Sequence, residues 1–299
     1  TDEKIENLKA QLLDRSQPIA KRMRVVCSLR AVKGHGTVEA LASCLKDESA
    51  LLRHEIAYAL GQKEDISALP ILIQTLRDDK DPMVRHEAAE AIGAIGEPAS
   101  LSILEEFEHC DVEEVAHTCQ LALDRIRWKS ENKDSGDAER KKYSTIDPAP
   151  AADRSLSVQD HVNCLLDSKA PLFKRYGSLF ALRDIATDDA VLGLSRVLSE
   201  DRTSALMRHE IAFVLGQLQN KQAVSALESC LRDTCENQMV RHEAAEAVGA
   251  VLGEGERCRA LLEEYARDSN QVVAESCLVA LDVSDYWADD AQLHYAPLA

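Results

Sequence analysis

The chain has 299 residues, enough for two domains, and its 45% hydrophobic content is enough to build real cores. Aromatic residues make up only 4%, which argues against a sandwich or barrel whose strands favour Tyr, Phe and Trp. Basic residues number 35 against 52 acidic ones, and the net charge of −17 excludes a general nucleic-acid binder while favouring basic partners or metal cations.

The start, TDEKIENLKAQLLD, is charged and does not read as a signal peptide. No apolar run reaches the length of a membrane span. Nine Cys are scattered along the chain without a C-x-x-C pair, which reads as reduced thiols in a cytoplasmic protein.

Taken in order, the chain repeats itself. KRMRVVCSLRAV from Lys21 is followed by LLRHEIAYALGQ from Leu51 and MVRHEAAEAIGAIGE from Met83, then by VAHTCQLALD from Val115. Asp81-Pro82 and Gly96 punctuate the ends of the third of these segments, and Ser100 is placed to cap the helix that follows. Apolar positions recur at helical spacing throughout, and no segment reads as a strand.

Residues 129–153 break the pattern. They are polar, with Gly and two Pro, and read as a linker of roughly 25–30 Å root-mean-square span with Trp128 and Ile146 tacking down its ends.

Beyond it the same series returns: KRYGSLFALRDI from Lys174, LMRHEIAFVLGQ from Leu206, MVRHEAAEAVGAVLGE from Met239 and VAESCLVALD from Val273. The short period is 32 residues from His54 to His86 and 33 from His209 to His242; the long one is 155 to 156. The expected fold is all-α: an α-solenoid of eight HEAT-like helical hairpins in two symmetric halves of four, residues 1–128 and 154–299.

Most of the repeated motif is structural. In the segment from Met83, Val84, Arg85, Ala88, Ala89, Ile92 and Gly93 pack helices or close turns. The His-Glu pairs have no such role: His54-Glu55, His86-Glu87, His209-Glu210 and His242-Glu243. The terminal units carry Met23-Arg24, His117-Thr118, Tyr176-Gly177 and Glu275-Ser276 there, so a unit does not need His-Glu to fold.

Neighbouring solenoid helices lie ~10 Å apart, so two imidazoles reaching from them can converge on one ion. A carboxylate completes a two-His, one-carboxylate face suited to non-haem Fe(II), with positions open for oxygen and substrate. Two halves give two faces. Which Glu joins each is open on geometry: consecutive helical residues diverge by ~100°, while Glu90 and Glu246 at i+4 share the His side. Their counterparts Tyr58 and Phe213 can wall the site. Leu51, Met83, Leu206 and Met239 lie one turn before each His, and Met83 and Met239 are candidate pocket walls. His35, His109, His161 and His294 have no repeat partners and read as surface residues.

RHEIAYALGQ, VRHEAAEAIGAIGE, RHEIAFVLGQ and VRHEAAEAVGA, in two HEAT-like halves, resemble the deoxyhypusine hydroxylase family. The resemblance covers both halves and the D-P-A-P segment from Asp147 to Pro150.

It implies a di-iron monooxygenase that uses O2 and an external reductant. The substrate implied is the deoxyhypusine side chain on the translation initiation factor 5A precursor, which becomes hypusine. It implies His54, His86 and Glu87 on one iron and His209, His242 and Glu243 on the other, in a centre held between the halves. Glu55 and Glu210 then serve in substrate recognition or as support behind the ligands. The competing readings are a chromophore lyase, which leaves the four-pair symmetry unexplained, and a non-enzymatic scaffold, which predicts dispensable His residues. A zinc or nickel hydrolase is a minor alternative.

Overall fold

The computed structural model describes residues 2–33, 36–132, 143, 145–251 and 255–288. Among the described residues the regular structure is entirely helical. The chain divides into two compact units, residues 1–152 with 169–177, and residues 153–168 with 178–299.

The N-terminal series runs α1 (Asp2–Leu13), α2 (Ile19–Ala31), α3 (Thr37–Ala42), α4 (Ala50–Gln62), α5 (Leu69–Asp78), α6 (Pro82–Ile95), α7 (Leu101–Phe107) and α8 (Glu113–Glu131). The C-terminal series runs α9 (Val158–Leu166), α10 (Leu172–Ile185), α11 (Asp188–Glu200), α12 (Ala205–Leu218), α13 (Val224–Arg232), α14 (Gln238–Ala250), α15 (Gly255–Tyr265) and α16 (Gln271–Ala288). In the first unit α2, α4, α6 and α8 pack side by side as one layer, backed by the odd-numbered helices; in the second, α12, α14 and α16 do the same. This two-layer stack lets every amphipathic helix bury its apolar stripe against a neighbour.

Each helix that bears a His-Glu pair starts on a side-chain cap. Ser49 accepts from Leu52 N–H, Asp81 from Met83 N–H, Ser204 from Met207 N–H and Asn237 from Met239 N–H. Pro82 sits in the first turn of α6, where its missing N–H costs nothing, and Gly96 ends that helix at φ 74°. Ser100 departs from expectation. It ends a short 3-10 turn, Pro98–Ser100, and its side chain makes no capping bond to α7. Pro98 opens that turn, so the chain enters α7 already coiled and the hydroxyl has no free N–H ahead of it.

Two devices fix the spacing within the α4–α6–α8 and α12–α14–α16 rows. One is close backbone approach. A Cβ added at Gly61 would stand 2.7 Å from Ala91 Cα, and one at Gly249 would stand 2.7 Å from Ala280 Cβ. The other is a series of buried ion pairs joining successive repeats. The residue before His54 is Arg53, which grips Asp79 by two bonds of 2.8 and 2.9 Å. Arg208 grips Glu236 at 2.7 Å twice, and Arg241 reaches Asp268 at 2.6 Å. Such fork-on-carboxylate pairs set orientation as well as distance.

The polar stretch after the fourth N-terminal segment begins as helix, since α8 runs on to Glu131. Residues 145–152 then lie against the first unit. Ile146 N–H donates to Gln62 Oε1 at 2.9 Å, Arg125 donates to Asp147 O, and Ala152 N–H donates to Gly177 O at 2.8 Å. Pro148 and Ala149 are buried there.

Candidate metal centre

In the first unit the site is built at the α4–α6 interface. His54 and Glu87 face each other across it. His54 Nε2 lies 3.2 Å from Glu87 Oε2, and His86 Nε2 lies 3.9 Å from the same oxygen. The two rings stand 5.4 Å apart, tilted by 41°. The donor atoms of His54, His86 and Glu87 all lie within 4.8 Å of one another, and all three residues are buried.

The ~100° divergence between His86 and Glu87 is what makes this work. It turns the Glu87 carboxylate away from its own helix's histidine side and toward α4, where His54 waits. Seven residues beyond His54, on the same helix face, Gly61 meets Ala91, which lies one turn beyond Glu87. The glycine contact therefore holds the two helices at the separation that the His54–Glu87 distance requires.

His54 Nδ1 faces Glu55 Oε1 at 3.1 Å, so its two ring nitrogens address different carboxylates. Burial opposes charge on His54, but Glu87 and Glu55 together outweigh it and hold the imidazole well above its ordinary value. Burial pushes the Glu90 carboxyl well above the usual carboxylate range, and the Glu87 charge adds to the effect.

Glu90 Oε2 is buried without a hydrogen-bond partner among the described residues. It lines a small cavity of about 10 Å³ with Thr118, Arg125, Ile146 and Pro148. Burial likewise pushes the Tyr58 phenol up, with Arg30 opposing and Glu55, Glu87 and Glu90 reinforcing. Tyr58 thus stands in the field of three carboxylates, and the Arg30 guanidinium lies 5.5 Å over its ring.

The second unit repeats the His–Glu contact and the ring spacing at α12–α14. His209 Nε2 lies 3.4 Å from Glu243 Oε2, and the His209 and His242 rings stand 5.4 Å apart at 37°. Gly216 and Ala247 make the accompanying close contact. His242 Nδ1 lies 3.5 Å from Glu246 Oε1 one turn along α14, and Ser276 Oγ on α16 donates to that oxygen at 3.4 Å.

Other expected residues fall as follows. Glu210 is 4% exposed, whereas the Glu55 side chain is 22% exposed. Met83 and Met239 are buried one turn before His86 and His242, as are Leu51 and Leu206 before His54 and His209. His117 pairs with Glu113 at 3.8 Å on its own helix. His109 is exposed, but His161, expected at the surface, is fully buried. It sits on the buried face of α9, three residues after Val158 and four before Leu165, and burial depresses its pKa. His35 and His294 lie outside the described residues.

Sequence reasoning did not single out the ion pairs between successive repeats. Their signal was present in the Arg that precedes His54, His209 and His242, with an acid 26 to 28 residues later.

The donor set fits a metal. Two donors at ~2.1 Å from one ion and 90–110° apart are separated by roughly 3.0–3.5 Å, close to the His54–Glu87 and His209–Glu243 distances. Two imidazoles with one carboxylate, and no thiolate, suit iron rather than a structural zinc.

The HEAT repeats family model matches residues 38–124 and 193–282. A deoxyhypusine hydroxylase from Dictyostelium discoideum is 48% identical over 298 residues, covering 99% of this chain and 93% of that protein. One from Drosophila melanogaster is 44% identical over 287 residues, covering 96% and 93%. The structure of human deoxyhypusine hydroxylase in complex with glycerol superposes with a TM-score of 0.90 at 43% identity, covering 95% of this chain and 96% of that one.

Proposed function

The chain belongs to the deoxyhypusine hydroxylase family of monooxygenases, and on that premise we propose that it hydroxylates deoxyhypusine on the translation initiation factor 5A precursor, with O2 and an external reductant, at two irons. The observation that carries the metal reading is the buried trio of His54, His86 and Glu87, echoed in the second unit by the His209–Glu243 contact and the spacing of the His209 and His242 rings. The dinuclear character rests on the duplication: one donor set in each half, for two irons.

When bound, the irons supply electrons for O2 activation, chemistry that no protein side chain supplies alone. The residues do the rest. The imidazoles offer Nε2 as neutral donors, and Glu87 and Glu243 each bring one negative charge to a site from which water is largely excluded. Three protein donors leave coordination positions open on each ion.

Deoxyhypusine is a long side chain that carries ammonium groups. Glu55 and Glu210 are assigned to those groups. A carboxylate has two oxygens, so the oxygen of Glu55 that accepts from His54 leaves the other for an ammonium N–H. Pairing the ammonium groups fixes which carbon faces the metals and lowers the entropy cost of reaction. Met83 and Met239 are assigned to the apolar wall that limits side reactions.

The test is elemental analysis of the purified chain with its visible spectrum, followed by turnover of a deoxyhypusine-bearing protein. About two irons per chain, with product formed, is the expected result. One iron per chain would refute the two-set reading. A chain that takes up no iron on reconstitution with Fe(II) would return the protein to the scaffold reading.

A further inference from the structure

Glu246 and Glu90 share the His side of their helices, yet the proposed ligand sets do not use them. The register of the helix rows shows what Glu246 faces. At α4–α6, His54 faces Glu87 where Gly61 meets Ala91; at α12–α14, His209 faces Glu243 where Gly216 meets Ala247. At α14–α16, Gly249 meets Ala280, so the position opposite His242 belongs to Ser276. A hydroxyl stands where the other interfaces have a carboxylate. It is fully buried, and it donates to Glu246 Oε1 rather than addressing His242 directly. Glu246 Oε1 in turn lies 3.5 Å from His242 Nδ1.

We propose that Glu246 is a positioning residue for His242. Approached by the Ser276 hydroxyl, its carboxylate is placed to accept a hydrogen bond from Nδ1–H and so favour the tautomer that presents the Nε2 lone pair as a donor. The inference rests on the metal reading given above. A metal-ligating imidazole is oriented by what its second nitrogen meets, and a carboxylate there also raises its basicity. His54 shows the same division of labour, with Nδ1 on Glu55 and Nε2 toward Glu87.

The first unit lacks the hydroxyl contact. Thr118, at the position of Ser276, turns its hydroxyl to Glu114 O at 2.7 Å, and Glu90 Oε2 is left without a hydrogen-bond partner among the described residues. The assignment is therefore specific to the C-terminal set.

The test compares wild type with Glu246→Ala, Glu246→Gln and Ser276→Ala in two readouts. In the iron-loaded full chain, Glu246→Ala should bind one of its two irons about 10–100-fold more weakly in competition with a chelator. Glu246→Gln, which keeps an acceptor oxygen, should recover part of that loss, and Ser276→Ala should give a smaller shift in the same direction.

In the metal-free chain, nitrogen NMR of the imidazoles should show His242 as the Nδ1–H tautomer in wild type and as a mixture in Glu246→Ala. Wild-type chelator resistance together with an unchanged His242 spectrum would overturn the proposal. If wild type bound no iron the metal reading would fall, and the imidazole spectra would still decide whether Glu246 holds His242. Should Glu246→Ala lose helicity, Glu246→Gln and Ser276→Ala carry the same decision.

Discussion

His54 and Glu87 show how much one neighbour determines at this site. His54 is buried between two carboxylates, which in the metal-free chain favour its charged form. Removing the ring removes a metal donor and the imidazole that faces Glu87 at 3.2 Å. His54→Ala is therefore expected to lose one iron per chain and turnover by at least ~100-fold, with far-ultraviolet circular dichroism retained. An active variant with full iron would refute the ligand assignment.

Glu210 has a different expected signature. Glu210→Ala should raise KM for the protein substrate about tenfold or more while iron content stays at the wild-type value, as loss of a charge-assisted ammonium contact predicts. Iron lost ahead of substrate affinity would make Glu210 a ligand.

The motif residues themselves were legible because duplication wrote them four times and the terminal units omitted them. The choice between Glu87 and Glu90 was not legible from spacing alone. Both positions are compatible with a helix, and only the position of α4 beside α6 shows that Glu87 reaches His54. His161 was misjudged for a related reason: a single His without a repeat partner carries no periodic signal of its burial.

At the scale of helices, the sequence marked Ala88, Ala89 and Gly93 as packing residues, but which glycine meets which alanine at α4–α6 and α12–α14 came only from the structure. Because Gly61 lies two turns past His54 on one face, side-chain volume added there acts on the metal site through the helix separation. Gly61→Val is expected to cost about 1–3 kcal/mol of stability by overpacking. It should also weaken iron retention, measured by chelator competition, although residue 61 touches no ligand. Full retention in a destabilised variant would show that the donors follow local geometry alone.

The ion pairs make a separate prediction, tested at a pair that includes no candidate ligand. Arg22 Nη2 lies 2.6 Å from Asp47 Oδ2, and both side chains are buried. Burial disfavours the Asp47 charge, but Arg22 overcomes this and holds the carboxyl below its ordinary value of 3.8. A depressed folded-state pKa means that the contribution is complete above 3.8 and disappears as pH falls through the lower folded value. Arg22→Met leaves Asp47 with Arg15 at 3.6 Å and the Ser49 N–H, and should cost about 1–3 kcal/mol at pH 7 in urea unfolding. The gap to wild type should begin to narrow below pH ~3.8 and close as pH falls through the lower folded value, where Asp47 protonates in both states. A gap independent of pH would show that packing of the arginine stem carries the effect.

For the whole chain, the duplication was plain in the sequence, and so was the all-helical class. What composition could not show is that part of the polar stretch after α8 belongs to a packed surface. Pro148 and Ala149 read as linker residues because Pro and Ala there form no helix period, yet the backbone N–H of Ile146 finds an acceptor on Gln62. Charge is the other whole-molecule property. At −17, the chain should attract a basic protein substrate over distances set by screening. Raising salt from 50 to 500 mM is expected to raise KM several-fold with little change in kcat. A KM indifferent to salt would confine recognition to the side chain being modified.

The bond between Ile146 and Gln62 joins residues 84 positions apart, whereas the helix rows of the first unit are built from neighbours one repeat apart. Near contacts close small loops and form early; distant ones wait until the intervening chain has ordered. Residues 145–152 are thus placed to dock last during folding and to release first on partial opening. The Ile146 amide proton should accordingly exchange with solvent deuterium sooner than the amides of α6, and the difference between the two rates would measure how tightly this late-arriving segment latches a stack that is otherwise complete without it.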